Sequence, residues 1–155
     1  MVRICMFISV LLLTCCDRNA HTNKNEILLA YGDNNKINTE NVDVDLTGID
    51  GAYLLLSMAK YDFGKIQKSK NPYITIEFEV KNIGKKPLLI TRTDVSCGCL
   101  STEYSKKPIS PNKKTKLRVS VDFRSLNGVF NKTVCIKSNA ENNVVLLRLV
   151  GYVSK

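Results

Sequence analysis

The sequence predicts an all-β sandwich, and three observations support this fold class. Apolar and polar residues alternate with a period of two in several segments, as in strands with one buried and one solvated face. Turn-forming residues separate these segments at short intervals. No long stretch of the 155 residues has the periodicity of a helix. We therefore expect a single folded domain with an N-terminal appendage.

The predicted strands begin with the segment 74–81, where alternation is clearest. Residues 82–87 form a predicted turn rich in Gly, Lys and Pro, and residues 88–95 form the next strand. Further strands are predicted over 117–123, from Phe130 through Ile136 and over 144–153, with turns at 127–128 and 138–143. About seven strands within residues 53–155 are typical of one immunoglobulin-like sandwich.

The N-terminus has the pattern of an export signal. Residues 1–3 include a positive charge, residues 4–13 are apolar, and the run is too short to span a bilayer comfortably. Leu13 stands three residues before Cys16, which resembles the lipobox of bacterial lipoproteins. We expect residues 1–15 to be a lipoprotein signal peptide and Cys16 to be lipidated, with Cys15 as the alternative. A plain secretory signal is the other interpretation.

Lipidation would place the protein in the bacterial cell envelope, facing the periplasm or the cell surface. Its membrane contact would be the lipid anchor, and palmitate would be among the attached chains. Residues 16–52 are rich in Asn, Asp and Lys, which favours a flexible tether. The alternative is that this segment contributes a first edge strand. The folded domain is expected to occupy residues 53–155.

The net charge of +9 comes from 23 basic and 14 acidic side chains. The lysines are distributed over turns and strand faces, and neither an arginine-rich arm nor a stripe of interleaved aromatic and basic residues is present. We therefore expect no nucleic-acid partner. The charge is better explained as a solvated, repulsive surface.

The Cys97-Gly98-Cys99 motif is the main chemical feature of the domain. Of the six cysteines, Cys5 lies in the predicted signal, and one of the pair at 15–16 is the predicted lipid site. The folded part then retains Cys97, Cys99 and Cys135. An odd number of cysteines in an exported protein indicates a leftover thiol, a metal site or a redox pair.

Three interpretations of the motif remain open. Cys97 and Cys99 can form a small-ring disulfide in an oxidising compartment. They can instead ligate Cu(I) or Zn as thiolates, although the chain's single histidine, His21, lies in the tether, and Cys135 should point off the core face beside Thr133 and Lys137. They can also be reduced, inert residues that fill a corner. No cofactor is expected, with copper or zinc as the exception under the second interpretation.

Several short motifs follow one another along the domain, and we interpret their residues as structural. These residues are Asp62, Phe63, Gly64, Asn82, Gly84, Pro87, Ser96, Gly98, Pro111, Gly128, Phe130, Ser138, Asn139 and Gly151. Each motif is weak alone, but in this order, over roughly residues 59–153, the domain resembles the bacterial family catalogued as DUF1573. The resemblance implies an exported, often lipid-anchored, immunoglobulin-like domain akin to Hydin-type domains, and it implies no known activity. Asn112 stands where the family usually has Gly.

These observations favour a non-catalytic binding or assembly module. One histidine in the whole chain makes a Ser-His-Asp or Cys-His site implausible. The partner would be another envelope protein or a polymer, met through sheet edges and end loops. The alternative function is a thiol-based metal-binding or redox accessory protein that uses Cys97 and Cys99.

Overall fold

The computed structural model describes residues 48–155. The predicted signal peptide, Cys15, Cys16, His21 and most of the predicted tether lie outside the described residues. Within the described part, no helix is long and apolar enough to cross a membrane.

Eight strands build the described part of the chain. They are β1 (Leu54–Leu56), β2 (Lys60–Gln67), β3 (Tyr73–Asn82), β4 (Ile90–Val95), β5 (Leu100–Tyr104), β6 (Lys114–Asp122), β7 (Gly128–Ser138) and β8 (Val144–Ser154). The all-β prediction is confirmed, with eight strands where about seven were expected. The additional short strands include β1 and β5, which the alternation pattern alone did not resolve.

The strands form two four-stranded sheets. The first sheet has the order β1-β3-β6-β5, and the second has the order β2-β8-β7-β4. The first order corresponds to strands A-B-E-D of an immunoglobulin domain, and β8-β7-β4 corresponds to G-F-C. All pairings are antiparallel except that of β2 with β8, which is parallel and shifts register between Asp62 and Lys65.

The inner faces of the two sheets pack into one hydrophobic core. Phe78, Leu117, Phe123, Ile136 and Leu147 are among its largest fully buried side chains. The alternation that predicted β3, β6 and β7 places Phe78, Leu117 and Ile136 inward and their neighbours along each strand outward. The apolar side chains removed from water supply the main driving force for folding.

Two apolar residues that precede the predicted domain boundary at residue 53 are buried in the structure. Ile49 and Ala52, which the sequence assigned to the tether, are each only 3% exposed. The Glu141 carboxylate accepts hydrogen bonds from the amides of Asp50 and Gly51, which holds this segment against the turn between β7 and β8. Packing of two isolated apolar residues is not visible as a periodic pattern, so the sequence did not reveal it.

Candidate functional site

The Cys97-Gly98-Cys99 motif forms the corner where the chain leaves one sheet for the other. Ser96 continues the pairing of β4 with β7, because its amide donates to the Thr133 carbonyl and its Oγ accepts from the Thr133 amide. On the far side, the Cys99 carbonyl accepts from the Asp122 amide at the end of β6. The motif therefore joins an edge strand of the second sheet to an edge strand of the first.

A disulfide joins Cys97 and Cys99, whose Cα atoms are 5.2 Å apart. Both side chains are half-buried and pack against the hydrophobic core. Gly98 is exposed, and a Cβ atom at this position would meet nothing within 4 Å. The cysteines are therefore oxidised, as in the first interpretation and unlike the reduced residues of the third, and the disulfide helps fill the corner.

Hydrogen bonds reinforce this corner between β4 and β5. The hydroxyls of Thr93 and Thr102 lie 2.6 Å apart, and the Tyr104 hydroxyl donates to the Thr91 carbonyl at 3.4 Å. These contacts join the two sheets at adjacent edges. Neither edge is therefore fully open for pairing with another chain.

Cys135 lies on β7, away from the corner disulfide and on the outer face of the second sheet. Its neighbours Val134 and Ile136 are fully buried, so the alternation places Cys135 outward as expected. It is a free, half-buried thiol that pairs in register with Asp94 of β4 and Leu146 of β8. Among residues 48–155, no group of three His, Cys, Asp or Glu side chains could hold a metal ion.

Asn82 is the most connected of the predicted motif residues. Its side chain is fully buried; Oδ1 accepts from the amides of Tyr53 and Gly84, and Nδ2 donates to the carbonyls of Lys86 and Ile109. At Gly84, a Cβ atom would lie 2.4 Å from the Gly51 carbonyl oxygen, so only glycine fits there. Both residues therefore have structural roles, as we interpreted them.

The Asp62-Phe63-Gly64 motif forms the irregular middle of β2. Asp62 Oδ1 accepts from the Gly64 amide at 2.7 Å, and Gly64 has a φ of 65°. The Phe63 ring is half-buried, and it packs edge-on against Phe123 and Phe130. Gly151 of β8 lies against this bend, and its lack of a side chain allows the close approach. A Cβ atom at position 151 would be 3.0 Å from the Gly64 carbonyl oxygen.

The remaining motif residues shape turns. Gly128 begins β7 with a φ of 74°, and Asn112, after Pro111, has a φ of 61°, a left-handed conformation that Asn tolerates. Ser138 Oγ accepts from the Ala140 amide. The Asn139 side chain donates to the Pro87 carbonyl and accepts from the Leu89 amide.

Sequence reasoning missed the role of Asn142 in this last turn. Asn142 is buried, and its side chain exchanges two hydrogen bonds with the backbone of Leu54 in β1. The Asn142 side chain thus supplies the hydrogen bonds that a neighbouring strand would make with the Leu54 backbone. The two residues are 88 apart in the sequence. The only available signal was an Asn-rich turn, which is equally typical of an ordinary solvated loop.

The outer face of the first sheet is a ladder of ion pairs. Glu77 accepts from Lys116 and from Arg118, whose Nε lies 2.8 Å away, while Lys114 lies 2.9 Å from Glu79. The hydrogen bonds from Lys116 and Arg118 hold the pKa of Glu77 below its usual range. Hydrogen bonds to Glu77 and then Glu103 raise the pKa of Arg118. Cross-strand pairs of opposite charge thus neutralise much of this face.

The outer face of the second sheet has a different character. We use the term apolar patch for five outward side chains on β7 and β8: Val129, Val144, Leu146, Val150 and Tyr152. Val150 is half-buried, and the other four are 49–84% exposed. The patch was not among the predicted site residues. Its signal was the apolar character of residues 144–153, in which Arg148 is the one charged residue, and we interpreted this segment only as a strand.

Together, the two packed sheets and their strand order define the protein as an immunoglobulin-like β-sandwich. The chain belongs to the family described as a protein of unknown function, DUF1573, whose match covers residues 54–153. The family resemblance inferred from the sequence is therefore confirmed. No curated protein matches the chain.

Solved structures share the fold at low sequence identity. A protein of unknown function from Porphyromonas gingivalis W83 matches with a TM-score of 0.59 and 18% identity, over 70% of this chain and 50% of that one. The secreted serine protease VesC from Vibrio cholerae matches with a TM-score of 0.50 and 13% identity, over 66% and 23%. The Vibrio cholerae VesB protease matches with a TM-score of 0.50 and 10% identity, over 67% and 32%.

The chain thus spans half the length of the first of these proteins and a smaller share of the other two. At these identities the similarity shows the fold alone.

Proposed function

We propose that the protein is a non-catalytic binding or assembly module of the bacterial cell envelope, anchored to a membrane by a lipid on Cys16. The observation that supports binding is the apolar patch, because four of the six exposed large apolar residues in the described range 48–155 lie on this one face. Contiguous exposed apolar surface on a folded domain is typical of an interaction site. The partner is another envelope component, either a protein or a polymer.

Site-specific photo-crosslinking in intact cells tests the binding role. Tyr152 in the patch and Tyr73 on the outer face of the first sheet are matched positions, 49% and 54% exposed. Replacing Tyr152 with p-benzoylphenylalanine should give a discrete crosslink to one envelope component, whereas the same replacement at Tyr73 should not. Absence of a discrete product from both positions would contradict the proposal.

Metabolic labelling with palmitate tests the anchor separately. We expect the wild-type chain and the Cys15→Ala variant to be labelled and to fractionate with membranes. The Cys16→Ala variant should lose both properties. Labelling that is lost in Cys15→Ala and kept in Cys16→Ala would assign the lipidation site to Cys15. If the wild-type chain and both variants remain unlabelled, a plain secretory signal is favoured.

The disulfide between Cys97 and Cys99 favours a second candidate function, that of a thiol-based redox or soft-metal accessory protein. Reduction of this disulfide by a dithiol takes two electrons and two protons and yields two thiols, which could then ligate Cu(I) or Zn as thiolates. A pair separated by one residue closes a small ring, and such disulfides are more readily reduced.

Thiol counting and metal analysis of the purified protein distinguish the two functions. A redox role predicts that the number of free thiols changes reversibly by two at potentials near that of the glutathione couple. A metal role predicts stoichiometric copper or zinc in the purified protein, and this metal should be lost in the Cys97→Ser variant. Cys135→Ser is the control, because it removes a thiol and leaves the pair intact. A disulfide that stays closed under these conditions, with no metal, would leave the pair as a structural crosslink.

A further inference from the structure

The sequence and the exposure of β8 disagree, and this disagreement identifies an unusual surface. Residues 144–153 are apolar on both faces of the strand except for Arg148, a pattern typical of strands that are covered on both sides. Within residues 48–155 only the inner face is covered, and Leu146 on the outer face is 54% exposed. The neighbouring strand β7 extends the apolar surface, since Val129 lies directly opposite Tyr152.

Two cations accompany the apolar patch, together with one exposed carboxylate, Asp62, which is in register with Val150. Arg148 lies between Leu146 and Val150 along β8, and Lys65 of β2 is in register with Tyr152. Both side chains belong to exposed residues, and neither forms an ion pair with any residue in the described range 48–155. On the first sheet, in contrast, Lys116 and Arg118 both contact Glu77.

We propose that the outer face of the second sheet binds the surface of an anionic lipid bilayer. The valine and leucine side chains would enter the interface, and Tyr152 has the amphipathic ring that is enriched at this depth. Arg148 and Lys65 can place their aliphatic stems along the apolar surface while their charged ends reach lipid phosphates. The same face therefore offers both components of interfacial binding, apolar area and positive charge.

Charge favours this occupant over a second copy of the chain. The protein carries a net charge of +9, and a symmetric dimer through this face would bring equivalent unpaired cations towards each other. An anionic bilayer attracts them instead. One further support rests on the proposed function: the chain between a lipidated Cys16 and Gly48 can extend at most roughly 110 Å, which keeps the domain close to the bilayer.

Vesicle binding by the unlipidated chain tests this proposal independently of the anchor. The protein is the chain from residue 16 onward, carrying Cys16→Ser. Because the sequence contains no tryptophan, Tyr152→Trp introduces a single reporter in the patch and Tyr73→Trp a matched reporter on the opposite face. Phosphatidylglycerol vesicles should shift the emission of the first variant to shorter wavelength and leave the second unchanged. Phosphatidylcholine vesicles should shift neither.

Cosedimentation with the same vesicles measures the contribution of each component. Leu146→Ser should weaken binding about tenfold, because a large apolar side chain is lost from the interface. Arg148→Gln should weaken it about fivefold, as expected for one cation near an anionic surface. Lys107→Gln, in an exposed loop, removes the same charge and should change binding by less than about twofold.

Several outcomes would overturn the proposal. Absence of binding to phosphatidylglycerol is one, and an equal spectral shift at positions 73 and 152 is another, since it would indicate non-specific attraction to a basic protein. A dimer in sedimentation equilibrium that Leu146→Ser abolishes would assign the face to a second copy. If vesicles fail to bind while the Tyr152 crosslinker captures an envelope protein in cells, the proposed binding function stands and the lipid occupant is wrong.

Discussion

The outer faces of the two sheets are built on the same alternating backbone and differ in surface chemistry, although the second sheet also has a cross-strand ion pair between Lys137 and Asp94. On the first sheet, charged residues of β3 and β6 pair across the strands, as in the contact of Lys116 and Arg118 with Glu77. On the second sheet, apolar residues occupy the equivalent outward positions of β8, and Arg148 among them makes no ion pair within the described residues. The charged residues of the first face are largely paired within the sheet, whereas the second face leaves large apolar side chains exposed.

This difference shows that burial in the core and exposure for contact can be separated on a single strand. Leu146 and Leu147 are adjacent, chemically identical and directed to opposite sides of β8. Leu147 is fully buried between the sheets, whereas Leu146 is 54% exposed. Since a strand alternates its side chains between faces, one leucine serves stability, and the other is available for binding.

The largest expected effect comes from truncating these two leucines. Leu147→Ala should lower the free energy of unfolding by about 3 kcal/mol, because it leaves a cavity in the core. Leu146→Ala should change it by less than about 0.5 kcal/mol, as is usual for exposed positions. Urea denaturation followed by circular dichroism measures both values. A comparable loss in the two variants would show that the patch is part of the stabilising core and would break the comparison.

Much of the fold was predictable from local pattern. The alternation of β3, β6 and β7 follows directly from which side chains face the core, so these strands were correctly predicted. β1 has only three residues and all are buried, so it has no alternation to detect. The parallel pairing of β2 with β8 joins residues 88 apart, such as Lys60 with Arg148, and no local signal encodes it.

The second prediction concerns acid stability, to which the first sheet contributes two carboxylates and the second sheet one, Asp94, whose pKa is lowered against the effect of desolvation by the hydrogen bond from Lys137. Hydrogen bonds from Lys116 and Arg118 lower the pKa of Glu77, and those from Arg124 lower the pKa of Asp122. A carboxyl group whose folded pKa is depressed stabilises the fold above its unfolded pKa, about 4. That stabilisation is lost as the pH falls through the lower folded value.

We therefore expect the urea midpoint to be constant near neutral pH and to fall below about pH 4. Glu77→Gln should reduce this fall, because one of the responsible carboxylates is absent. High salt should also reduce it by screening exposed charges. An acid loss that is identical in wild type and Glu77→Gln would contradict the assignment of part of the effect to the first sheet.

The candidate site was less predictable than the fold. The residue types of the corner left the state of Cys97 and Cys99 open, since oxidation, metal ligation and inert packing suit the same two side chains. The patch was visible in principle, because residues 144–153 are too uniformly apolar for a strand with one solvated face. Its meaning depended on knowing that nothing in the described chain covers the outer side of β8, which only the packing of the two sheets reveals.

The smallest expected effects lie within the ion-pair ladder itself. Glu77 accepts from two cations and is 39% exposed at its side chain, whereas Glu103 contacts only Arg118, at 3.5 Å, and is 77% exposed. Glu77→Gln should therefore destabilise the protein measurably at neutral pH and low salt, though less than Leu147→Ala. Glu103→Gln should be indistinguishable from wild type, because exposed single pairs contribute little. Urea midpoints at low and high salt measure both, and the Glu77→Gln effect should shrink at high salt. A larger effect at Glu103 than at Glu77 would show that the ladder is organised around Arg118 rather than around the carboxylate on β3.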